Sequence, residues 1–148
     1  MKVRRAISDD IDSLASLFDG YRIFYRKESD IEGAKVFLLE RMSNRESEIF
    51  ICENESGEMM GFTQLYPLFT STRMKKAWLL NDLFVSPDHR GKGVSVQLIE
   101  RAKQLVRDTN AYGMFLETEK SNEIGNKLYP RTGFVLNDGS NYYEWTVD

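Results

Sequence analysis

The spacing of apolar residues changes twice along this chain, and these changes constrain its fold more than any other feature. Two early segments place apolar side chains every three or four positions, which is typical of helices with one buried face. The pattern then becomes short apolar runs separated by turn residues, which predicts strands. Helical spacing returns after Gly93. The predicted helices are 11–25, 31–42 and 94–105, and the predicted strands between them are 48–52, 59–66 and 76–85.

Four shorter segments complete the prediction: a first strand at 2–7, a strand at 112–118, a short helix at 122–131 and a last strand at 141–146. The order β-α-α-β-β-β-α-β-α-β combines an antiparallel meander with a β-α-β unit. We therefore expect an α/β fold with a mixed, mainly antiparallel central sheet and helices on both faces.

Composition limits the classes of protein that this chain can represent. Its 148 residues correspond to one domain, 1–148, and contain no linker, repeat or apolar run long enough for a transmembrane helix. The basic N-terminus lacks the apolar stretch of a secretory signal. A net charge of -3 argues against nucleic-acid binding, and one histidine with one cysteine, Cys52, predicts neither a disulfide nor a metal site. We expect a cytoplasmic protein with no membrane partner.

The turn after the third central strand carries the clearest chemical signal. Leu83-Phe84-Val85 ends a strand, and Arg90-Gly91-Lys92-Gly93-Val94-Ser95 opens a helix. Glycines allow backbone amides to approach a phosphate closely, and a helix N-terminus adds partial positive charge and unpaired donors. The turn therefore predicts an anion site.

Known phosphate-binding patterns differ in how well they match this turn. A P-loop fails because Ser86 stands where its first glycine is required, and a dinucleotide fingerprint fails because the third glycine is missing. The [RQ]-x-x-G-x-[GA] turn of coenzyme A-dependent acyltransferases matches from Arg90 onward except at Ser95, which is small. An ordinary glycine-capped helix start is the remaining alternative.

With a second motif, the chain resembles the GNAT superfamily of N-acetyltransferases over nearly its whole length. The first motif is Leu80–Val85 with the glycine turn; the second is 121–134, where Asn122 is followed by Leu128-Tyr129 and Gly133-Phe134. The resemblance implies the acyl-CoA N-acyltransferase fold, acetyl-CoA as co-substrate and no metal. Within the superfamily the chain resembles the polyamine and small-amine branch, and a homodimer is compatible with the resemblance because dimers are common in the family.

The resemblance implies roles for particular residues. Pantetheine would pair with the strand edge at Leu83, Phe84 and Val85, and the Val85 amide would stabilise the oxyanion. Residues 90–95 would hold the pyrophosphate. Asn122 would bond pantetheine, and Tyr129 would protonate the leaving thiolate; packing under the sheet is the alternative role for Tyr129.

The acceptor side depends on a carboxylate, because an attacking amine with a pKa near 10.4 must first lose a proton. Asp82 is the first candidate base, and Glu117 and Glu119 are alternatives. The polyamine branch commonly has Glu where this chain has Asn81, which cannot act as a base. Tyr21, Tyr25 and Glu28 form an aromatic and acidic segment that suits a cationic amine.

Three functions remain open from the sequence. The first is acetyl transfer from acetyl-CoA to a small polyamine-like or lysine-like primary amine, by direct attack in a ternary complex. The second is acetylation of protein N-termini or lysine side chains. The third is a non-catalytic acyl-CoA-binding module, which Asn81 favours and Tyr129 opposes.

Overall fold

The computed structural model describes residues 1–147, and the chain divides into two compact units, Met1–Glu117 and Thr118–Asp148. The first unit contains, in chain order, β1 (Lys2–Arg5), α1 (Ile11–Phe24), α2 (Ile31–Ser43), β2 (Glu48–Glu53), β3 (Met59–Thr70), β4 (Lys75–Val85), α3 (Val94–Asp108) and β5 (Met114–Phe115). The second unit contains α4 (Glu123–Arg131).

The strands form one sheet in the order β1-β2-β3-β4-β5. The first three pairings are antiparallel, and only β4 and β5 run parallel. The expectation of a mixed, mainly antiparallel sheet is therefore confirmed. A bulge interrupts the pairing of β3 and β4 between Gln64 and Leu65, opposite Asn81.

Helices cover both faces of this sheet. Phe18 of α1 and Leu38 of α2 pack in one buried cluster with Ile51 and other side chains from the strands. Phe50 points to the opposite face because successive strand residues alternate. There the guanidinium of Arg101, from α3, lies 4.1 Å from the centre of the Phe50 ring.

The predicted strands at 112–118 and 141–146 differ most from the structure; β1 is also two residues shorter and β3 four residues longer than predicted. The prediction at 112–118 is too long, because β5 covers only Met114–Phe115. The prediction at 141–146 is wrong, because residues 135–147 form no helix or strand. Isolated extended segments leave their backbone groups without the partners that stabilise a strand, so alternation alone does not make one.

No helix in the described part of the chain, 1–147, is long and apolar enough to cross a bilayer.

Candidate active site

One edge of β4 is open over half of its length. On that side β4 pairs with β5 only at Trp78 and Leu79, so the strand continues from Leu80 to Val85 with no paired strand there among residues 1–147. The other side of β4 stays paired with β3 over this stretch, as in the pair of Phe62 and Phe84. The structure therefore presents a strand edge that an extended ligand can pair with.

The register of β3 and β4 identifies which peptide groups face the open edge. The Ser86 amide donates to the Met60 carbonyl on the β3 side, at 2.9 Å. Because peptide groups alternate in direction along a strand, those of Leu83 and Val85 point away from β3. The Val85 carbonyl accepts a bond from Arg90 Nε at 3.1 Å. The Val85 amide is thus the group available to a ligand at the edge.

The glycine turn joins this strand to α3. Gly91 and Gly93 have φ angles of +74° and +82°, and a Cβ at either position would meet no heavy atom within 4 Å. No side chain of residues 1–147 caps α3, whose N-cap is Gly93. The first amides of a helix lack intrahelical partners, so they remain free to bind an anion. Lys92 Nζ donates to the Asp88 carbonyl at 3.0 Å, which holds a cation at the turn.

An aromatic cavity of about 470 Å³ lies between α1, α2 and the β3–β4 pair. Five rings line it: Phe18, Tyr21, Tyr25, Phe37 and Tyr66. Its charged lining residues are Arg22, Lys27, Asp30 and Asp82. A cavity of this size suits a small molecule rather than a folded partner.

Asp82 is the buried carboxylate of this cavity, with only 2% of its surface exposed. Its oxygens accept bonds from Gln64 Nε2 and from Asn81 Nδ2, the latter at 2.8 Å, and from the Tyr21 hydroxyl. Burial raises the pKa of Asp82, while these three donors oppose the increase. A raised pKa brings a carboxylate closer to the range where a general base works at neutral pH. Burial, followed by the nearby Asp82 charge, also raises the pKa of Tyr66 to about 12.

The raised pKa of Asp82 predicts a pH-dependent difference in stability between the protein and Asp82→Asn. Between its ordinary pKa, near 3.8, and the raised folded value, the folded state binds more protons than the unfolded state. The free energy of unfolding therefore falls as pH rises through this window, by up to about 1.4 kcal/mol for each pH unit that the window spans. Asp82→Asn lacks this decrease, so its stability relative to the parent should increase with pH. Urea unfolding of both proteins from pH 4 to 8 tests this; parallel curves would contradict it.

The loop between α1 and α2 is fixed by a second buried carboxylate, Asp19. Its oxygens accept bonds from the Asp30 amide and the Ser29 hydroxyl, both at 2.7 Å, and these bonds hold the pKa of Asp19 below its usual range. The Glu28 carbonyl accepts from Arg22 Nη1 at 2.8 Å. The Glu28 side chain is not part of the cavity lining, so its contact with an acceptor stays a prediction.

The second unit places Asn122 and Tyr129 at opposite ends of α4. The Asn122 side chain caps the helix: its oxygen accepts from the Gly125 amide at 3.1 Å, and its amide donates to the Thr118 hydroxyl at 2.9 Å. The half-buried Tyr129 ring packs edge-on against Phe134, with centroids 5.7 Å apart. A Cβ at Gly125 would lie 2.6 Å from the capping Asn122 Nδ2 and 3.3 Å from the Tyr129 ring, so a glycine suits this position.

Several lining residues were missed from the sequence. Phe18 and Phe37 have the spacing of core residues on their helices, and Tyr66 lies on a strand whose other residues are mostly apolar. Gln64, on the same strand, is buried and donates to Asp82. A polar residue at a core position, such as Gln64, was the one available signal for a buried network.

Comparisons with known proteins agree with this geometry. Residues 14–134 match the family model described as the acetyltransferase (GNAT) family. The chain is 43% identical over 143 residues to the uncharacterized N-acetyltransferase YhfO of Bacillus subtilis, covering 97% of this chain and 95% of that one. The chain belongs to the GNAT family.

Two further proteins have similar sequences. A probable acetyltransferase of Haemophilus influenzae is 29% identical to this chain over 147 residues. The match covers 99% of this chain and 99% of that protein. The crystal structure of a probable acetyltransferase matches with a TM-score of 0.95 and 34% identity, covering 100% of this chain and 99% of that one. The α/β GNAT fold and N-acetyltransferase class expected from the sequence are confirmed.

GNAT membership implies acetyl-CoA as co-substrate, and the residues of the first unit suit it. The open edge at Leu83 and Val85 offers peptide groups to the amide-like pantetheine arm. The uncapped start of α3 at Gly93 and the cation of Lys92 suit the pyrophosphate. Ser95 lies in the first turn of α3, so Ser95→Gly should leave acetyl-CoA affinity nearly unchanged.

Gly93→Val should remove most of the stabilisation that acetyl-CoA gives. At a ligand concentration of 100 Kd, a bound ligand adds about 2.7 kcal/mol to the free energy of unfolding. A valine places its side chain in the open space where the phosphate is expected and strains a backbone with φ +82°. Thermal unfolding with and without acetyl-CoA measures the change.

Gly57→Val is the matched control. Gly57 has the same φ of +82° and the same empty surroundings, but it lies in the turn between β2 and β3. Both variants should lose intrinsic stability, and only Gly57→Val should keep the full acetyl-CoA shift. A Gly93→Val protein with the parental shift would show that the turn does not hold the coenzyme.

Proposed function

We propose that this protein transfers the acetyl group of acetyl-CoA to a small primary amine bound in the aromatic cavity, by direct attack in a ternary complex. The supporting observation is the position of Asp82. It lies on β4, within the half of the strand whose edge is open, and its carboxylate lines the cavity. An amine held by Asp82 is therefore close to the strand edge proposed for the thioester.

Residues of this chain can carry out each proton transfer of the proposed reaction. Asp82 takes a proton from the ammonium group, directly or through a water, and the neutral nitrogen attacks the thioester carbonyl carbon. The Val85 amide donates to the developing oxyanion. The carbon–sulfur bond then breaks, and Tyr129 donates a proton to the departing thiolate. The nitrogen gives up its second proton, which returns through water to the Tyr129 oxygen, and the neutral amide product forms. Asp82 releases the first proton to solvent.

The cavity favours a lysine-like acceptor over a polyamine-like one. Arg22 and Lys27 line it together with Asp30 and Asp82, so its charge is mixed rather than acidic. A polyamine brings several positive charges, which two lining cations repel. A single ammonium group facing Asp82 and the five rings has no such penalty, and aromatic faces attract it.

We also propose that the protein works in the cytoplasm. Its sole cysteine, Cys52, is a buried free thiol, which suits a reducing compartment. Acetyl-CoA is a metabolite of that compartment.

Thiol release from acetyl-CoA across matched amines tests the proposal. The series contains lysine, spermidine, an aminoglycoside, a peptide with a free N-terminus and a reaction without amine. We expect release that depends on small amines, with lysine ahead of spermidine. Release with the peptide alone would favour protein acetylation, and acetyl-CoA binding without release on any amine would favour a binding module.

A further inference from the structure

A fully buried glutamine lies opposite the carboxylate of the cavity. Gln64 of β3 and Asp82 of β4 are partners in the strand register, so their side chains project from the same face of the sheet. Gln64 Nε2 donates to Asp82 Oδ2. The bulge directly after Gln64 leaves Asn81 as an extra residue on β4. Burying an amide is unfavourable unless its polar atoms are bonded, so the partners of Gln64 explain why it is there.

The other end of the Gln64 amide is held by Ser47, the residue before β2. Gln64 Oε1 accepts from the Ser47 hydroxyl at 2.8 Å. An ionised carboxylate only accepts hydrogen bonds, so the nitrogen of the Gln64 amide must face Asp82. The oxygen then faces Ser47, whose hydroxyl donates. The two contacts therefore support a single orientation of the amide, which presents a donor to Asp82.

Three side chains from three parts of the fold donate to Asp82. Gln64 bonds one carboxylate oxygen, Asn81 Nδ2 bonds the other at 2.8 Å, and the Tyr21 hydroxyl is the third donor. The Thr63 hydroxyl also fixes the backbone here, donating to the Asp82 carbonyl at 2.8 Å. A carboxylate offers about four lone-pair positions. Within residues 1–147 these three donors leave about one position, which an ammonium group or a water in the cavity can occupy.

We propose that Gln64 is a positioning residue for acetyl transfer: held by Ser47, it fixes the Asp82 carboxylate so that its remaining acceptor position meets the amine in the cavity. This role rests on the proposed function, in which Asp82 takes the amine proton. Gln64 does not line the cavity, so it acts through Asp82. Its bond also stabilises the charged form of Asp82, which keeps the carboxylate ionised when the ammonium group arrives.

Removal of the Gln64 donor should raise the pKa of Asp82. Burial already raises this pKa, and the bond from Gln64 is the largest of the contributions that oppose burial. The loss of one hydrogen bond to a charged group corresponds to a rise of about one to two pH units. Other titratable or charged groups around Asp82 stay in place in a Gln64 variant. They are Tyr21 and Arg22 of α1, Lys27 and Asp30 of the following loop and Tyr66 of β3, with Arg41 and Glu46 near Tyr66.

Carbon-13 NMR of the Asp82 carboxyl group measures this change without catalysis. The signal is identified by its absence from Asp82→Asn and is followed with pH in the parent and in Gln64→Met, which keeps the side-chain length and removes the donor. We expect the titration midpoint to rise by about one to two pH units in Gln64→Met. Gln104→Met is the matched control, because Gln104 Nε2 donates to Asp108 Oδ1 at 2.8 Å on the surface of α3. It should leave the Asp82 midpoint unchanged.

The pH dependence of kcat/KM, for an amine that the parent acetylates, gives the second readout. Its acidic limb should move upward with the NMR midpoint, so at a pH below the parental midpoint kcat/KM should fall about 10–100-fold. If Gln64→Met does not fold by circular dichroism, Gln64→Glu replaces it. It keeps the shape and the acceptor for Ser47, and two facing carboxyl groups that share a proton also raise the midpoint.

The two readouts separate the role of Gln64 from the role of Asp82. An Asp82 midpoint that stays at the parental value in the Gln64 variant would overturn the positioning role, whatever the rates. A midpoint that rises while the acidic limb of kcat/KM stays in place would show that Asp82 is not the base. That result would contradict the proposed reaction and, with it, any catalytic role for Gln64.

Discussion

Tyr129→Phe should lower kcat by about 10²–10⁴-fold while leaving acetyl-CoA affinity close to the parental value. The range is that of a general acid whose proton transfer limits the rate. A phenol with an ordinary pKa near 10 stays protonated at neutral pH and can donate to the departing thiolate. The substitution removes only the hydroxyl, so the ring should keep its edge-on contact with Phe134.

Steady-state kinetics on one amine that the parent acetylates efficiently give kcat. Acetyl-CoA affinity is measured separately for both proteins. Tyr112→Phe is the matched control, because Tyr112 lies outside the aromatic cavity and loses the same hydroxyl. Its kcat should equal that of the parent. If Tyr129→Phe also turns over at the parental rate, the hydroxyl has no catalytic role and Tyr129 serves packing alone.

The helices were predicted well because a helix depends on residues that lie close together in the sequence. The spacing of apolar residues placed α1 and α2 to within one residue of each observed end, since one buried helix face fixes the period of the sequence. The glycine turn was recognisable for the same reason: positive φ angles at Gly91 and Gly93 depend on the turn itself.

Local sequence patterns did not predict which strand segments pair with one another, or over what length. The hairpin of β3 and β4 extends beyond Tyr66 to Thr70, although Pro67 indicates a strand end. Pro67 is tolerated because β2 no longer pairs with β3 beyond Leu65, and because Trp78, opposite Pro67, donates its amide to the Gly113 carbonyl rather than to β3, so no ladder bond is lost. The strand expected at 141–146 fails because nothing in the described chain pairs with it.

The candidate active site also combines features that the local sequence predicts with contacts that it does not. Asp82 was recognisable from its place on the strand before the glycine turn, but its bonds with Gln64 and Tyr21 come from β3 and α1, far away in sequence. The Phe37 wall of the cavity comes from α2. Such neighbours are set by how helices pack on a sheet, which residue spacing does not encode.

Asp82→Asn should lower turnover by about 10²–10⁴-fold near neutral pH, because asparagine keeps the shape of the side chain but cannot accept the amine proton. The loss should shrink as pH rises toward the amine pKa, near 10.4, where solvent deprotonates the acceptor. Coenzyme affinity should stay close to the parental value, since the Asp82 carboxylate faces the cavity rather than the glycine turn.

The matched control is Asp108→Asn at the end of α3, where the carboxylate accepts a surface bond from Gln104. This variant should keep the parental turnover and coenzyme affinity. Together the two variants separate the loss of one particular base from a general loss of negative charge.

The most direct measurement is the pH–rate profile of amine acetylation by the parent and Asp82→Asn, with acetyl-CoA affinity determined for both. The proposal predicts a large deficit at neutral pH that narrows in alkali, with acetyl-CoA affinity within about twofold of the parental value. Equal rates at every pH would contradict it and transfer the base role to Glu117 or Glu119.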